Sequence, residues 1–168
     1  MKQLLLLNPE DVTEAEASNY PVREAARAIV RDADGMFALL HVAKDGYYKL
    51  PGGGLDGDED KIAALRRECM EEIGCDVDVT GEVGSIVEYR KFCELKQTSY
   101  CFSAKVKGEK RAPNFTEDEI VGGFEQLWVT REEALRLMQS CSATNIEGRE
   151  YIVPRDIAFL LESKLSDS

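Results

Sequence analysis

"GGGLDGDEDKIAALRRECMEEIGC", residues 52–75, is the stretch whose reading decides the fold. Its second half has helical periodicity, with Ile62, Leu65, Cys69 and Ile73 sharing one apolar side that can pack on a sheet. Glu68, Glu71 and Glu72 occupy the adjacent side. At about 100° per helical residue these three carboxylates fall within an arc of roughly 100°, so they repel one another unless something cationic sits among them. Ahead of the helix, the glycines at 52, 53 and 54 permit close approaches that a Cβ forbids, so the loop can present carbonyls or amides to a ligand. Asp58, Glu59 and Asp60 lie where the helix begins and where carboxylates cap free amides. Hard cations such as Mg²⁺ take oxygen ligands of this kind. The competing reading of the spacing alone is a solvated acidic face partnered by Arg66 and Arg67.

The whole pattern separates the two readings. From Gly53 there are five residues to Glu59, seven more to Arg67, and then Arg67-Glu68-Cys69-Met70-Glu71-Glu72-Ile73-Gly74-Cys75. This resembles the signature of the Nudix hydrolase family, the MutT-like hydrolases of a nucleoside diphosphate linked to another moiety. Cys69 and Cys75 stand where that signature has a bulky aliphatic residue, and a buried cysteine serves as a small hydrophobe. The resemblance implies a Nudix-type α/β/α sandwich with a mixed β-sheet, covering roughly residues 23–139 of a single domain spanning 1–168. It also implies Mg²⁺ or Mn²⁺ held by Glu68 and Glu72, with Glu71 sharing ions or their waters and the Gly53 carbonyl as a backbone ligand. Arg67 and Glu59 become supporting residues whose ion pair fixes the loop against the helix, and such outer partners orient metal-binding carboxylates. The general base is then a motif glutamate, Glu71 or Glu72, or an acid from a distant loop such as Glu119 in the Glu117-Asp118-Glu119 group.

Composition agrees with a small-molecule enzyme. A formal charge of −11 and a pI near 4.7 disfavour broad phosphate neutralisation, so no DNA or RNA complex is expected, whereas a bound cation can invert the field for a small nucleotide. Five cysteines without a C-x-x-C pair, and His41 as the single histidine, give little support to a thiolate-histidine zinc site and point to a reduced, cytoplasmic protein. The apolar run Leu4–Leu7 is too short for a signal peptide core or a membrane span. A homodimer is compatible with these features.

Along the chain, residues 3–7 read as a strand and residues 9–18 as an acidic linker or irregular helix. Residues 26–31 and 36–42 read as a hairpin around Asp32-Ala33-Asp34-Gly35. Strands are expected over 76–89, 97–106 and 124–129. Thr130 and Glu133 have capping-box spacing ahead of a helix. A C-terminal helical extension over about 154–165 opens at Pro154 and carries Ile157, Leu160, Leu161 and Leu165 as an apolar stripe.

Substrate choice lies outside the motif. Tyr47, Tyr48, Phe92 and Trp128 are candidates to stack on a base, and Lys49 and Arg90 to meet phosphate oxygens. Arg90 stands where an ADP-ribose hydrolase would carry proline, and no coenzyme A type extension precedes the box. The leading expectation is hydrolysis of an ordinary or oxidised nucleoside triphosphate. The alternatives are a nucleotide-binding regulatory Nudix-fold domain and an RNA-end pyrophosphohydrolase.

Overall fold

The computed structural model describes residues 1–163 as a mixed sheet with helices on both faces. The strands are β1 (Gln3–Leu7), β2 (Val22–Arg31), β3 (Phe37–Val42), β4 (Tyr47–Lys49), β5 (Gly52–Gly54), β6 (Asp76–Arg90), β7 (Leu95–Lys107) and β8 (Phe124–Val129). The helices are α1 (Glu14–Ala17), α2 (Lys61–Ile73), α3 (Glu117–Val121), α4 (Arg131–Ser140) and α5 (Val153–Glu162), with a π-helical turn at Glu147–Ile152 leading into α5. No described helix is long and apolar enough to cross a membrane.

Strand β7 is central, antiparallel to β6 on one side and parallel to β2 on the other. Side-chain alternation on these strands builds one core on each face of the sheet. Ala26, Ala28 and Val30 of β2 and Phe102 and Ala104 of β7 meet Leu65, Cys69 and Ile73 of α2. Ile29 and Cys101 point the other way, toward Met138 of α4 and Phe159 and Leu160 of α5. This is the α/β/α sandwich expected from the sequence, and burial on both faces explains why β3 reads as a near-continuous apolar run.

Three local expectations change. The turn at residues 32–35 forms, with the Asp32 N–H donating to the Met36 carbonyl at 2.9 Å, but β2 and β3 pair at only one position, Arg31 with Phe37. The edge of β2 is taken instead by the glycines of β5, while β3 pairs with β4 and β8. A Cβ at Gly52 would lie 2.1 Å from the Ala26 carbonyl oxygen, so β5 can approach this closely only because residue 52 is glycine. At α4, Thr130 caps the Glu133 N–H, yet the Glu133 carboxylate turns to Arg136 rather than closing the box. On α5, Leu161 is 42% exposed, and the buried face instead carries Val153, Arg155, Asp156, Phe159 and Leu160. Leu165 lies outside the described residues.

Candidate active site

Helix α2 is positioned by its ends. The Asp60 side chain accepts from the Ile62 and Ala63 N–H groups, satisfying two of the free donors of the first turn. At the other end Gly74 adopts a left-handed conformation, φ 64°, and a Cβ there would meet the Arg111 carbonyl at 2.0 Å. Glycine is required twice over, because the segment after β7 docks on this terminus: the Arg111 N–H donates to the Gly74 carbonyl and the Asn114 N–H to that of Glu71. Docking brings the start of α3 to the carboxylate face of α2.

The result is a convergence of three acids. Ligand-capable oxygens of Glu68, Glu72 and Glu119 all lie within 4.8 Å of one another. Glu72 is 1% exposed and held on both oxygens, by Lys49 Nζ at 3.0 Å and by the Gly52 N–H at 2.7 Å. Burial raises its carboxyl pKa, an effect that Lys49 and the Gly52 N–H oppose and Glu68 reinforces. Glu68, also buried, accepts from Arg67 at 2.8 Å and presses against Gly53, where a Cβ would come within 2.4 Å of its carboxylate. Glu119 is placed by a complete capping box with Thr116, whose N–H it accepts at 2.8 Å. That box, Thr116-Glu117-Asp118-Glu119, was the sequence signal for a helix start here, and composition alone had masked it as an acidic loop.

Glu71 stands outside this group, half-buried and 3.5 Å from Arg67, its carboxyl pKa raised by burial and by Glu68. Arg67 clamps the loop to the helix. It holds Glu59 through two bonds of 3.0 and 2.9 Å and donates to the Gly54 carbonyl at 3.1 Å. The Arg67 contact, with the Asp56 N–H, lowers the Glu59 pKa to about 2 from an ordinary 4.5. The folded-state pKa is depressed, so this pair's contribution to stability is present in full above pH 4.5 and lost as pH falls toward 2. Melting curves of the wild type and Glu59→Gln are therefore expected to differ by a constant amount above that window and to converge within it. A gap that persists unchanged to the acid end would remove the ion pair from the account.

A cleft of about 300 Å³ opens onto the acids. Its cations are Lys49, Arg23 and Arg27, and Tyr47 and Phe124 add aromatic surface. Sequence reading missed Arg23 and Arg27, which look like ordinary strand charges until β5 packs beside them, burying Arg27 and leaving Arg23 exposed. Arg27 is 5% exposed, donates to the Gly52 carbonyl and keeps a buried Nε without a partner. Burial, with Arg155 nearby, lowers its pKa to about 10. Arg23 reaches Gln97 Oε1 at 2.5 Å.

Other candidates sit elsewhere. Tyr48 stacks on His41 with ring centroids 4.5 Å apart, and His41 faces Glu125. Trp128 lies beneath Lys110 Nζ at 3.7 Å, and Phe92 beside Tyr151 at 5.7 Å. Arg90 is 3% exposed and bound to Glu88 and Glu147 at 3.1 and 2.7 Å, so it does not line the cleft itself but backs Glu147, which does.

The donor set fits a hard divalent cation: three carboxylates and no thiolate or imidazole, with two of the acids buried. Comparison with known proteins bears on the fold and the family. An RNA pyrophosphohydrolase from Acidiphilium cryptum (strain JF-5) is 49% identical over 43 residues, which make up 25% of this chain and 26% of that protein. The match thus spans about a quarter of that relative's length. Among solved structures, a NUDIX hydrolase from Nitrosomonas europaea superposes with a TM-score of 0.66 at 15% identity, covering 87% of this chain and 90% of that one. A MutT protein from Methanosarcina mazei Go1 gives 0.60 at 18%, covering 89% and 99%. The C. elegans Ap4A hydrolase gives 0.62 at 15%, covering 88% and 100%. At such identities these likenesses speak for the fold. Because the NUDIX domain model matches residues 21–146, well beyond the helix whose spacing first suggested it, the chain belongs to the Nudix hydrolase family.

Proposed function

We propose that this protein is a metal-dependent pyrophosphohydrolase that cleaves the diphosphate linkage of a small nucleotide. The observation that carries the reading is the meeting of Glu68, Glu72 and Glu119 beside a cleft that also holds Lys49, Arg23 and Arg27. Acids alone repel a diphosphate, and cations alone leave the acids without a task. Together they suit a phosphate chain neutralised from two sides.

Glu68 and Glu72 would hold Mg²⁺ or Mn²⁺, with the Gly53 carbonyl as a backbone ligand and Glu71 in support. A bound cation supplies charge neutralisation at phosphoryl oxygens and lowers the pKa of the attacking water. Lys49 fixes the Glu72 carboxylate and adds positive charge at the cleft wall. Arg23 and Arg27 face the substrate's phosphate oxygens, as planar guanidinium groups are suited to do. Glu119, the most water-accessible of the three acids, takes the proton from water or completes the cation site. Tyr47 is the aromatic residue among the four sequence candidates that reaches the cleft, so base or sugar stacking falls to it and to Phe124.

An ordinary or oxidised nucleoside triphosphate is the substrate class this reading favours, since Lys49, Arg23 and Arg27 are there to meet a phosphate chain and Tyr47 and Phe124 to flank a base. The stretch shared with the RNA pyrophosphohydrolase favours a second reading, removal of pyrophosphate from an RNA 5′ end. A screen with Mg²⁺ across nucleoside triphosphates, nucleotide sugars, ADP-ribose, dinucleoside polyphosphates and 5′-triphosphorylated RNA separates them. Release of phosphate or pyrophosphate from the free triphosphates in preference to RNA is the expected outcome. No release from any of them would leave the regulatory nucleotide-binding alternative standing.

A further inference from the structure

Helix α5 begins beyond the residues matched by the family model, yet it sends two charged side chains into the interior. Arg155 and Asp156 are both 0% exposed. Arg155 Nε donates to Asp156 Oδ1 at 2.7 Å, and its Nη1 lies 3.7 Å from Glu88, which is also fully buried. The second oxygen of Asp156 accepts the Leu50 N–H at 2.8 Å, a contact across 106 positions of sequence. A buried ion pair adds little net stability over apolar packing of the same volume, and α5 already packs through Phe159 and Leu160. What Asp156 supplies, and an apolar residue cannot, is an acceptor for Leu50.

Leu50 is 2% exposed and sits between the two residues that hold Glu72. Lys49 bonds one oxygen of Glu72 and the Gly52 N–H the other. Without Asp156 the Leu50 N–H is a buried donor with no partner, and the segment must shift to reach water or another acceptor. Any such shift moves both hands that grip Glu72. We propose that Asp156 is a positioning residue for the cation site, acting through Leu50 on the geometry of Glu72, so that the C-terminal helix is a working part of the active site. Arg155 orients Asp156 for this task. A chain of contacts continues from Glu88 through Gln97, at 2.8 Å, to Arg23 at the cleft, so the same buried group borders the acids and the substrate arginine.

The inference rests on Glu72 being a cation ligand, and its test keeps the two claims apart. Mn²⁺ binding is measured by calorimetry without nucleotide, alongside melting curves and kcat and KM, for the wild type, Asp156→Ala, Leu160→Ala and Glu72→Gln. Leu160→Ala opens a cavity on the same helix while keeping both the donor and the acceptor of the Leu50–Asp156 hydrogen bond. Asp156→Ala is expected to weaken Mn²⁺ binding by about tenfold, in the range seen when outer partners of metal ligands are removed, and to lower kcat with KM little changed. Leu160→Ala should lower the melting temperature while leaving Mn²⁺ affinity of the folded protein within about twofold, because stability and site geometry are then separate. Equal loss of Mn²⁺ affinity in both variants, or none in Asp156→Ala, overturns the positioning role. If Glu72→Gln binds Mn²⁺ as the wild type does, the cation site itself is misassigned. If Glu72→Gln loses Mn²⁺ while Asp156→Ala keeps it, only the positioning role fails. Should Asp156→Ala not fold, amide exchange in the wild type decides: added Mg²⁺ is expected to slow exchange at Leu50 and Gly52 together, and slowing at Gly52 alone overturns the link.

Discussion

Replacing Glu72 by Gln is expected to lower kcat by at least about a hundredfold, which corresponds to roughly 2.7 kcal/mol of lost transition-state stabilisation. Gln keeps the size of the side chain and an oxygen that can accept the Gly52 N–H, so the loop retains its anchor. It removes the negative charge that a divalent cation requires of a direct ligand. On helix spacing alone, relief of repulsion with Glu68 and Glu71 would raise the melting temperature slightly. The tertiary contacts reverse that expectation. Lys49, 8% exposed and 3.0 Å from Glu72, loses its charge partner, and a buried ammonium left unpaired is destabilising. Melting should therefore fall, and rates must be compared well below the transition. A Glu72→Gln enzyme with near-normal kcat would remove α2 as the cation site. Glu119→Gln, assayed beside it, reports on the third acid: a loss comparable to that of Glu72→Gln assigns Glu119 to proton transfer or direct coordination. A loss below about tenfold leaves it the capping role it plays toward Thr116.

Exhaustive chelation is expected to abolish hydrolysis, with activity restored by Mg²⁺ or Mn²⁺. Lys49 is already committed to Glu72, and Arg23 and Arg27 together carry too little positive charge to offset both the three acids, whose oxygens lie within 4.8 Å, and an incoming diphosphate. Zn²⁺ should restore activity poorly, because the cluster offers oxygen donors and no thiolate or imidazole. Titrating Mg²⁺ back into the EDTA-treated enzyme, with phosphate or pyrophosphate release as the readout, checks both points. Turnover that persists undiminished after chelation would take the cation out of the mechanism.

What could be read in the sequence was whatever a single element fixes by its own geometry. The period of α2 placed Leu65, Cys69 and Ile73 on one side and the glutamates on the next, and the sheet packs on the expected side. The turn at residues 32–35 and strand β8 are written in local composition in the same way. Local rules failed where a neighbour competes. The hairpin partner of β2 is displaced because β5 is narrow enough to take its edge, and Leu161 of α5 is left outside because Arg155 and Asp156 have long-range partners worth burying.

The composition of the site shows the same division. Glu68, Glu71 and Glu72 could be singled out from their spacing because a helix converts sequence offset directly into direction. That Glu71 stands apart from the other two while Glu119 joins them could not be read, since it depends on the loop after β7 docking on Gly74. Arg23, Arg27 and Asp156 were equally silent: strand and helix charges are normally solvated, and only the fold buries Arg27 and Asp156 and sets the still exposed Arg23 on the cleft wall. Spacing within an element is set by covalent geometry, so the sequence determined the motif helix, its carboxylate face and the family. Contacts between elements far apart in the chain are set by which surfaces exclude water together, and that only the tertiary structure decided.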